Sequence, residues 1–439
     1  MRIGRILLAL LAIVVIGTAG FVAWAWEPPV ALVDTPDPSS IDHERVQRGA
    51  YLAAMGNCAV CHTTEAGKPY AGGRKLPTPF GTVYATNITP DPDTGIGRWS
   101  KGAFARAMRE GVGRAGEHLY PAFPYDHFTR LSDDDVDALY AFLMTRDPVR
   151  AQPPANDVMF PLNIRMTVAG WKLLFFRKGA QPADSNHDQA WNRGRYQADG
   201  IAHCGACHTP RNALGAEKKN RYLAGGSAEG WHAPALNAES PAPVPWTAKT
   251  LLAYLRAGFE PLHGAAAGPM APVTHGLARV PEQDVQAIAR YIASFSEQVS
   301  AERRLNADKL IARLNRRERQ TVGSASRDGT DQTGAALFAG ACASCHAETR
   351  QRRGGGGINL ALSTAANAPD ARNAIRVVLD GIHPEQGRSG PMMPGFAGAF
   401  TDQQVAALLG YMRARFSTQP AWNDLPDRVR RVRAGKDQS

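Results

Sequence analysis

Outside three short motifs this 439-residue chain has no cysteine, so it has no residue for a stapling disulfide or a free reactive thiol. It also lacks a G-x-G-x-x-G turn after a strand, and it shows no flavin, quinone-cofactor or molybdopterin signature. A self-contained dinucleotide or flavin enzyme is thereby excluded. With 43 glycines and 31 prolines there is neither collagen nor disorder bias. Beyond the N-terminus the most apolar stretch, residues 160–176, is too interrupted to span a bilayer.

What the chain does have is one motif three times: Cys58-Ala-Val-Cys61-His62, Cys204-Gly-Ala-Cys207-His208 and Cys342-Ala-Ser-Cys345-His346. A single CxxC fits a zinc half-site or a redox dithiol as well as anything else. Three copies, each followed by histidine and all behind an export segment, specify covalent haem c. In that chemistry the two thiols add to the haem vinyl groups and the histidine is the proximal iron ligand. The i, i+3 spacing argues against reading the six cysteines as three disulfides.

The N-terminus carries the export signal. Arg2 and Arg5 precede 21 uncharged, mostly apolar residues, 6–26, about 30 Å as a helix, one hydrocarbon core. Ala23-Trp24-Ala25 fits a small-x-small cleavage site. The length of the run, with Trp24 and Trp26 at an interfacial belt, favours an uncleaved anchor instead. Residues 27–439 are then periplasmic, attached to the inner (cytoplasmic) membrane with positive-inside orientation. The formal charge of +10 concentrates in 303–319 and at Arg428, Arg430, Arg431 and Arg433. These are solvated helix faces, or contacts to anionic lipid headgroups or an acidic partner. Nucleic acid is not a partner of an exported protein.

The motifs begin at 58, 204 and 342, and more than the motif repeats. Each follows a helix-like segment holding a glycine and an aromatic: Gly49 and Tyr51, Gly194 and Tyr196, Gly334 and Phe338. Each unit closes with an amphipathic helix, around Val136, Val285 and Val405. Ser132 and Thr401 are N-cap types and Pro281 suits a helix start. The pattern is that of the small all-α cytochrome c domain. It predicts an all-α chain of three tandem class I-like cytochrome c domains after an N-terminal transmembrane helix. The segments are an anchor or signal at 1–26, domains at 43–150, 188–298 and 330–417, a connector at 151–187, a basic linker at 299–329 and a basic tail at 418–439. Residues 160–176 cover a domain seam or lie on the membrane interface. The linker holds a basic helix-like segment before a polar, flexible stretch, and Gly354 to Gly357 read as a mobile turn.

A low-spin electron-transfer haem has a second axial ligand, commonly methionine. Methionine is more often core filler, but Met270 and Met393 stand in Gly/Pro-rich loops just before the last helix of repeats two and three. Met393 is preferred to Met392 because Pro-Gly-Phe follows it directly. In repeat one the corresponding position is Phe123, which cannot ligate iron. The options there are a vacant site, Met108, His118 or His127. Met108 parallels Leu255 and Val378, each three residues before a glycine, and so is either a distal packing residue or a ligand.

The chain resembles the triheme cytochrome c subunits of bacterial membrane-bound dehydrogenases, of the alcohol and the flavin-dependent gluconate or sorbitol type. The resemblance runs from about Arg48 to Phe416. It is carried by Arg48-Gly49-Ala-Tyr51-Leu52, Thr86-Asn-Ile-Thr-Pro-Asp91, Thr94-Gly-Ile-Gly97, Trp191-Asn-Arg193-Gly194, His203 to Asn212 and Gly268-Pro-Met270. The family's first loop reads Tyr-Pro-Ala-Met-Pro-Tyr. The variant Leu119-Tyr-Pro-Ala-Phe123-Pro-Tyr-Asp126-His127-Phe128-Thr129 resembles the cytochromes accompanying molybdenum hydroxylases that act on aldehydes or N-heteroaromatics. The resemblance implies an electron-transfer subunit, not an enzyme by itself. Its partners would be a catalytic dehydrogenase or molybdenum hydroxylase subunit on one side and membrane quinone or a terminal oxidase on the other. Two other readings are a peroxidase-like haem enzyme with an open first site and a passive haem sensor or scaffold.

Overall fold

The computed structural model describes residues 2–64, 66–319, 332–346, 357–384 and 390–436. They divide into two units, Met1–Pro182 and Ala183–Ser439. The polar stretch after 319 and Gly354 to Gly356 lie outside the described residues.

Unit 1 begins with α1 (Arg2–Ala25), apolar and long enough to cross a membrane. Its last residue is buried, and the chain after it is stitched to the domain that follows. The Ala25 carbonyl is bonded to His118 Nε2 (2.8 Å), Arg106 donates to Pro28 O (2.7 Å), and Val30 N donates to Arg114 O (2.8 Å). Next come α2 (His43–Met55), capped by Asp42, and the paired strands β1 (Lys75–Thr78) and β2 (Gly81–Tyr84). Helix α3 (Lys101–Glu110) ends on Gly111 at φ 61°, and α4 (Asp133–Met144) is capped by Ser132 with three acids in its first turn. The connector folds onto this domain. Its strand β3 (Asp157–Val158) pairs with β2, and its helix α5 (Thr167–Phe175) lays Trp171 against Tyr125.

Unit 2 repeats the scheme twice. The first copy has α6 (Gln189–Asp199), the hairpin β4 (Gly226–Ala228) and β5 (Trp231–Ala233), and α7 (Ala248–Ala257) ending on Gly258 at φ 68°. It closes with the short pair β6 (Phe259–Glu260) and β7 (Gly264–Ala265), then α8 (Met270–Leu277) and α9 (Glu282–Ser296). Helix α10 (Ala301–Arg319) makes up most of the described part of the predicted basic linker. It buries Ala307 with Val244 and Leu362, and Arg303 donates to the carbonyls of Ala238, Ser240 and Ala242. The last copy has α11 (Gln332–Leu337), α12 (Arg372–Asp380) ending on Gly381, and α13 (Asp402–Phe416) with a Thr401/Gln404 capping box. Residues set apart above as a basic tail form α14 (Leu425–Arg433), which buries Val429 and Val432 in the same core. Two of its four arginines are spent on the fold, Arg428 on Asp370 and Arg433 on Asp402.

The repeated glycine explains itself in the helix crossings. A Cβ on Gly49 would stand 2.0 Å from Ala138 O, on Gly194 1.9 Å from Ala287 O and on Gly334 2.3 Å from Ala407 O. In each copy the first helix therefore crosses the last with backbone against backbone. Arg48–Asp135 (2.7 Å) and Arg193–Asp284 (2.5 Å) lock the first two crossings beside that glycine.

Candidate haem sites

Each C-x-x-C-H ends in a histidine steered by a carbonyl further along the chain. His62 Nδ1 donates to Thr86 O (2.6 Å), His208 Nδ1 to Pro234 O (2.7 Å) and His346 Nδ1 to Ile358 O (3.1 Å). A carbonyl only accepts, so the proton lies on Nδ1 and Nε2 keeps its lone pair for a metal. Burial holds His62 and His208 below the ordinary histidine range, favouring the neutral, ligating form.

The loops that present those carbonyls are themselves fixed. Asn87 donates to Thr94 Oγ1 (3.0 Å) and Val149 O (2.7 Å), and Asp91 accepts from the Thr94 backbone and hydroxyl (both 2.7 Å). Gly95 and Gly97 fill the remaining space, where a Cβ would lie 2.2 Å from Thr89 O and 2.3 Å from Pro90 O. The Thr86–Gly97 signature is thus a knot that aims one carbonyl at one histidine. On the other side of the histidine, Gly72 N donates to His62 O and Gly225 N to His208 O (both 2.8 Å), with both glycines at positive φ. Gly357 packs so close to the His346 ring that a Cβ would meet it at 2.7 Å.

The cysteines sit in or next to a single helical turn. Burial pushes the Cys58 and Cys204 thiols up to about 12 and the Cys342 thiol up to about 11. At those three positions the surroundings favour the uncharged sulfur over thiolate. A neutral thioether suits them.

In unit 2 the second and third motifs open on one continuous cavity of about 970 Å³. Cys204, Cys207 and His208 line it, and so do Cys342, Cys345 and His346, with Met270, Met392 and Met393 also on its wall. The rest is mostly apolar, including Trp231, Leu255, Ile288, Val378 and Leu408. Met270 follows Gly268, whose missing side chain makes room for the Trp231 indole, 2.2 Å from where a Cβ would be. Met393 is pinned through its backbone to Ile382 (2.9 and 2.8 Å), whereas Met392 is 77% exposed. Paired cysteines, oriented imidazoles and methionine thioethers around an apolar space fit haem c.

Repeat one can be placed by register. Ala266 N donates to Gly258 O and Met270 stands four residues later; Leu119 N donates to Gly111 O and Phe123 stands four residues later. Phe123 therefore takes the place of Met270. Of the alternatives, His118 is withdrawn from iron because both ring nitrogens are spent, Nε2 on Ala25 O (2.8 Å) and Nδ1 on Lys172 (3.0 Å). His127 is buried, and its Nδ1 accepts from Arg130 (3.3 Å), which leaves the proton on Nε2. Met108 is buried on α3, at the position where Leu255 and Val378 line the cavity of unit 2.

Sequence reasoning misses the three carbonyls and Gly72 and Gly225, because a carbonyl is no property of its side chain. It also misses Trp422, which joins the cavity wall from the segment leading into α14.

The cytochrome c family model matches residues 46–147 and 332–415. The chain is 45% identical to one of the nicotinate dehydrogenase subunits of Pseudomonas putida over 415 residues, 94% of this chain and 34% of that protein. It thus spans about a third of that relative. It is 35% identical to the fructose dehydrogenase cytochrome subunit of Gluconobacter japonicus (92% of this chain, 85% of that one). With the gluconate 2-dehydrogenase cytochrome c subunit of Pantoea cypripedii it shares 37% (84% and 85%).

Proposed function

Because the chain belongs to the cytochrome c subunits of membrane dehydrogenases, we propose that it carries electrons from a catalytic subunit through three covalent haems to membrane quinone or a terminal oxidase. The haems are held by Cys58/Cys61/His62, Cys204/Cys207/His208 and Cys342/Cys345/His346 in cytochrome c domains near 43–150, 188–298 and 330–417. Helix α1 anchors the chain, with the haem domains on the periplasmic face of the inner membrane. The observation that carries the count is the histidine–carbonyl bond, built at all three motifs from unrelated residues.

Haem iron, when bound, supplies reversible one-electron transfer. The protein's part is orientation and exclusion of water. Thr86, Pro234 and Ile358 orient the imidazoles through their carbonyls, and Met270 and Met393 would supply thioethers that favour reduced iron at the second and third sites. Haems at those two sites would share the one cavity that both motifs line.

For the partner we propose a molybdenum hydroxylase acting on an N-heteroaromatic compound. The Phe123 loop supports it, as does the likeness to a subunit of nicotinate dehydrogenase, since nicotinate is such a compound. Intact mass and haem staining of protein matured in a competent host should return three haems; bound zinc or fewer haems would overturn the reading. A peroxidase-like role at the first site is the second reading, favoured only by Phe123. Peroxide turnover together with cyanide binding at one haem would establish it; ligand binding without turnover leaves electron transfer.

A further inference from the structure

Unit 1 buries its apolar side chains well except along one stretch of the connector. Phe160 (78% exposed), Leu173 (62%) and Leu174 (61%) stand out there, with Met159 and Ile164 about half exposed. Elsewhere after α1 the exposed large apolar residues among the described residues of the unit are Trp26, the neighbours Leu32 and Val33, and Tyr51, a smaller and more scattered set. Helix α5 is two-faced. Val168 and Ala169 are buried, Trp171 meets Tyr125, and Lys172 donates to Glu110 O (2.6 Å) and Gly111 O (2.7 Å). Leu173 and Leu174 face away from that contact.

What lies over the outer face is indicated by α1. A Cβ on Gly170 would stand 3.8 Å from the Phe21 ring, ordinary van der Waals contact. Gly170 and Leu174 share a helix face one turn apart. Phe21 lies inside the apolar run of α1, before Trp24. The anchor thus passes beside α5 at a point still within its own apolar run. Residues 158–183 contain no acid. Of their four cations, Lys172 and Arg165 are turned into the fold and Lys178 pairs with Glu110 (2.6 Å), so Arg177 is the cation left beside the exposed apolar side chains. Apolar side chains with a cation at their edge suit the boundary between headgroups and acyl chains.

We propose that α5 and the Met159–Ile164 turn form a second, in-plane membrane contact beside the anchor, with Phe160, Leu173 and Leu174 inserted among lipid acyl chains. The proposal rests on reading α1 as an uncleaved anchor. The test places a photo-crosslinking benzoylphenylalanine at Phe160, Leu173 or Leu174 of the full-length protein, in membranes whose phosphatidylethanolamine and phosphatidylglycerol carry tritiated acyl chains. Ile13 in α1 serves as reference. Lipid adducts at the three positions, within a few-fold of the Ile13 yield, are expected. A lipid adduct at Ile13 alone overturns the proposal, and so do adducts to protein at the three positions, which would make the patch a subunit interface. If Ile13 is absent from the mature protein, the anchor reading fails separately. The connector positions still decide the in-plane contact, which stands if they label lipid and falls if they do not.

Discussion

Phe123 and Met270 occupy one register of one loop, so a single substitution tests what a sulfur atom does there. Phe123→Met should strengthen the far-red charge-transfer band that thioether ligation gives ferric haem and raise the first haem's potential, read by redox titration in the visible. Met270→Ala and Met393→Ala should each remove about half of the wild-type band and lower one potential, since thioether favours reduced iron. Met108 decides the remaining ambiguity. If Met108→Ala weakens the band while Phe123→Met leaves it unchanged, Met108 already holds the first iron from α3. His118→Ala should leave every haem band in place and instead loosen the junction at Ala25, since neither of its nitrogens is available to a metal.

At the scale of elements, each first helix meets its partner over a glycine, and glycines in the same fold differ sharply in what surrounds them. A methyl on Gly194 would sit 1.9 Å from Ala287 O, whereas nothing lies within 4 Å of one on Gly410 in α13. Gly194→Ala should therefore cost about 1–3 kcal/mol through overpacking, and more if the crossing cannot open. Gly410→Ala should stabilise by about 0.5–1 kcal/mol, because alanine loses less backbone freedom on folding. Thermal unfolding of the two holo variants gives the opposite signs directly. The paired helices, their Ser132 and Thr401 caps and the repeated glycine are legible in the sequence, because spacing and capping chemistry are properties of side chains. The histidine-orienting carbonyls are not, since Thr86, Pro234 and Ile358 share no side-chain feature. Helix α14 is hidden by its own charge: Arg428 and Arg433 read as a solvated or lipid-binding tail until Asp370 and Asp402 are seen beside them. Ending the chain after residue 417 should accordingly destabilise the last domain, removing Val429, Val432 and the cavity-lining Trp422, and lower its haem retention in the mass assay.

For the whole molecule the decisive feature is that two haem motifs share one cavity. Oxidising an iron in an apolar space adds a charge that a second iron in the same space feels with little screening. Oxidation of either haem should then raise the midpoint of the other, by the same amount in both directions since coupling is reciprocal. Met270→Ala or Met393→Ala should move the other haem's midpoint too where the substitution changes which of the two oxidises first. Redox titrations that resolve the individual haems check this. If neither midpoint depends on whether the other haem is oxidised, the two sites are electrically independent. The bonds at the base of α1 have a different consequence. Because the anchor's final carbonyl is fastened to His118, and Arg106 grips the chain three residues on, unit 1 rides on a stiff stem rather than a tether. With α1 held in a bilayer, as proposed, its search for redox partners is confined to sliding in the plane of the membrane and turning about the membrane normal. An encounter that needs three translations and three rotations in solution is reduced to two translations and one rotation.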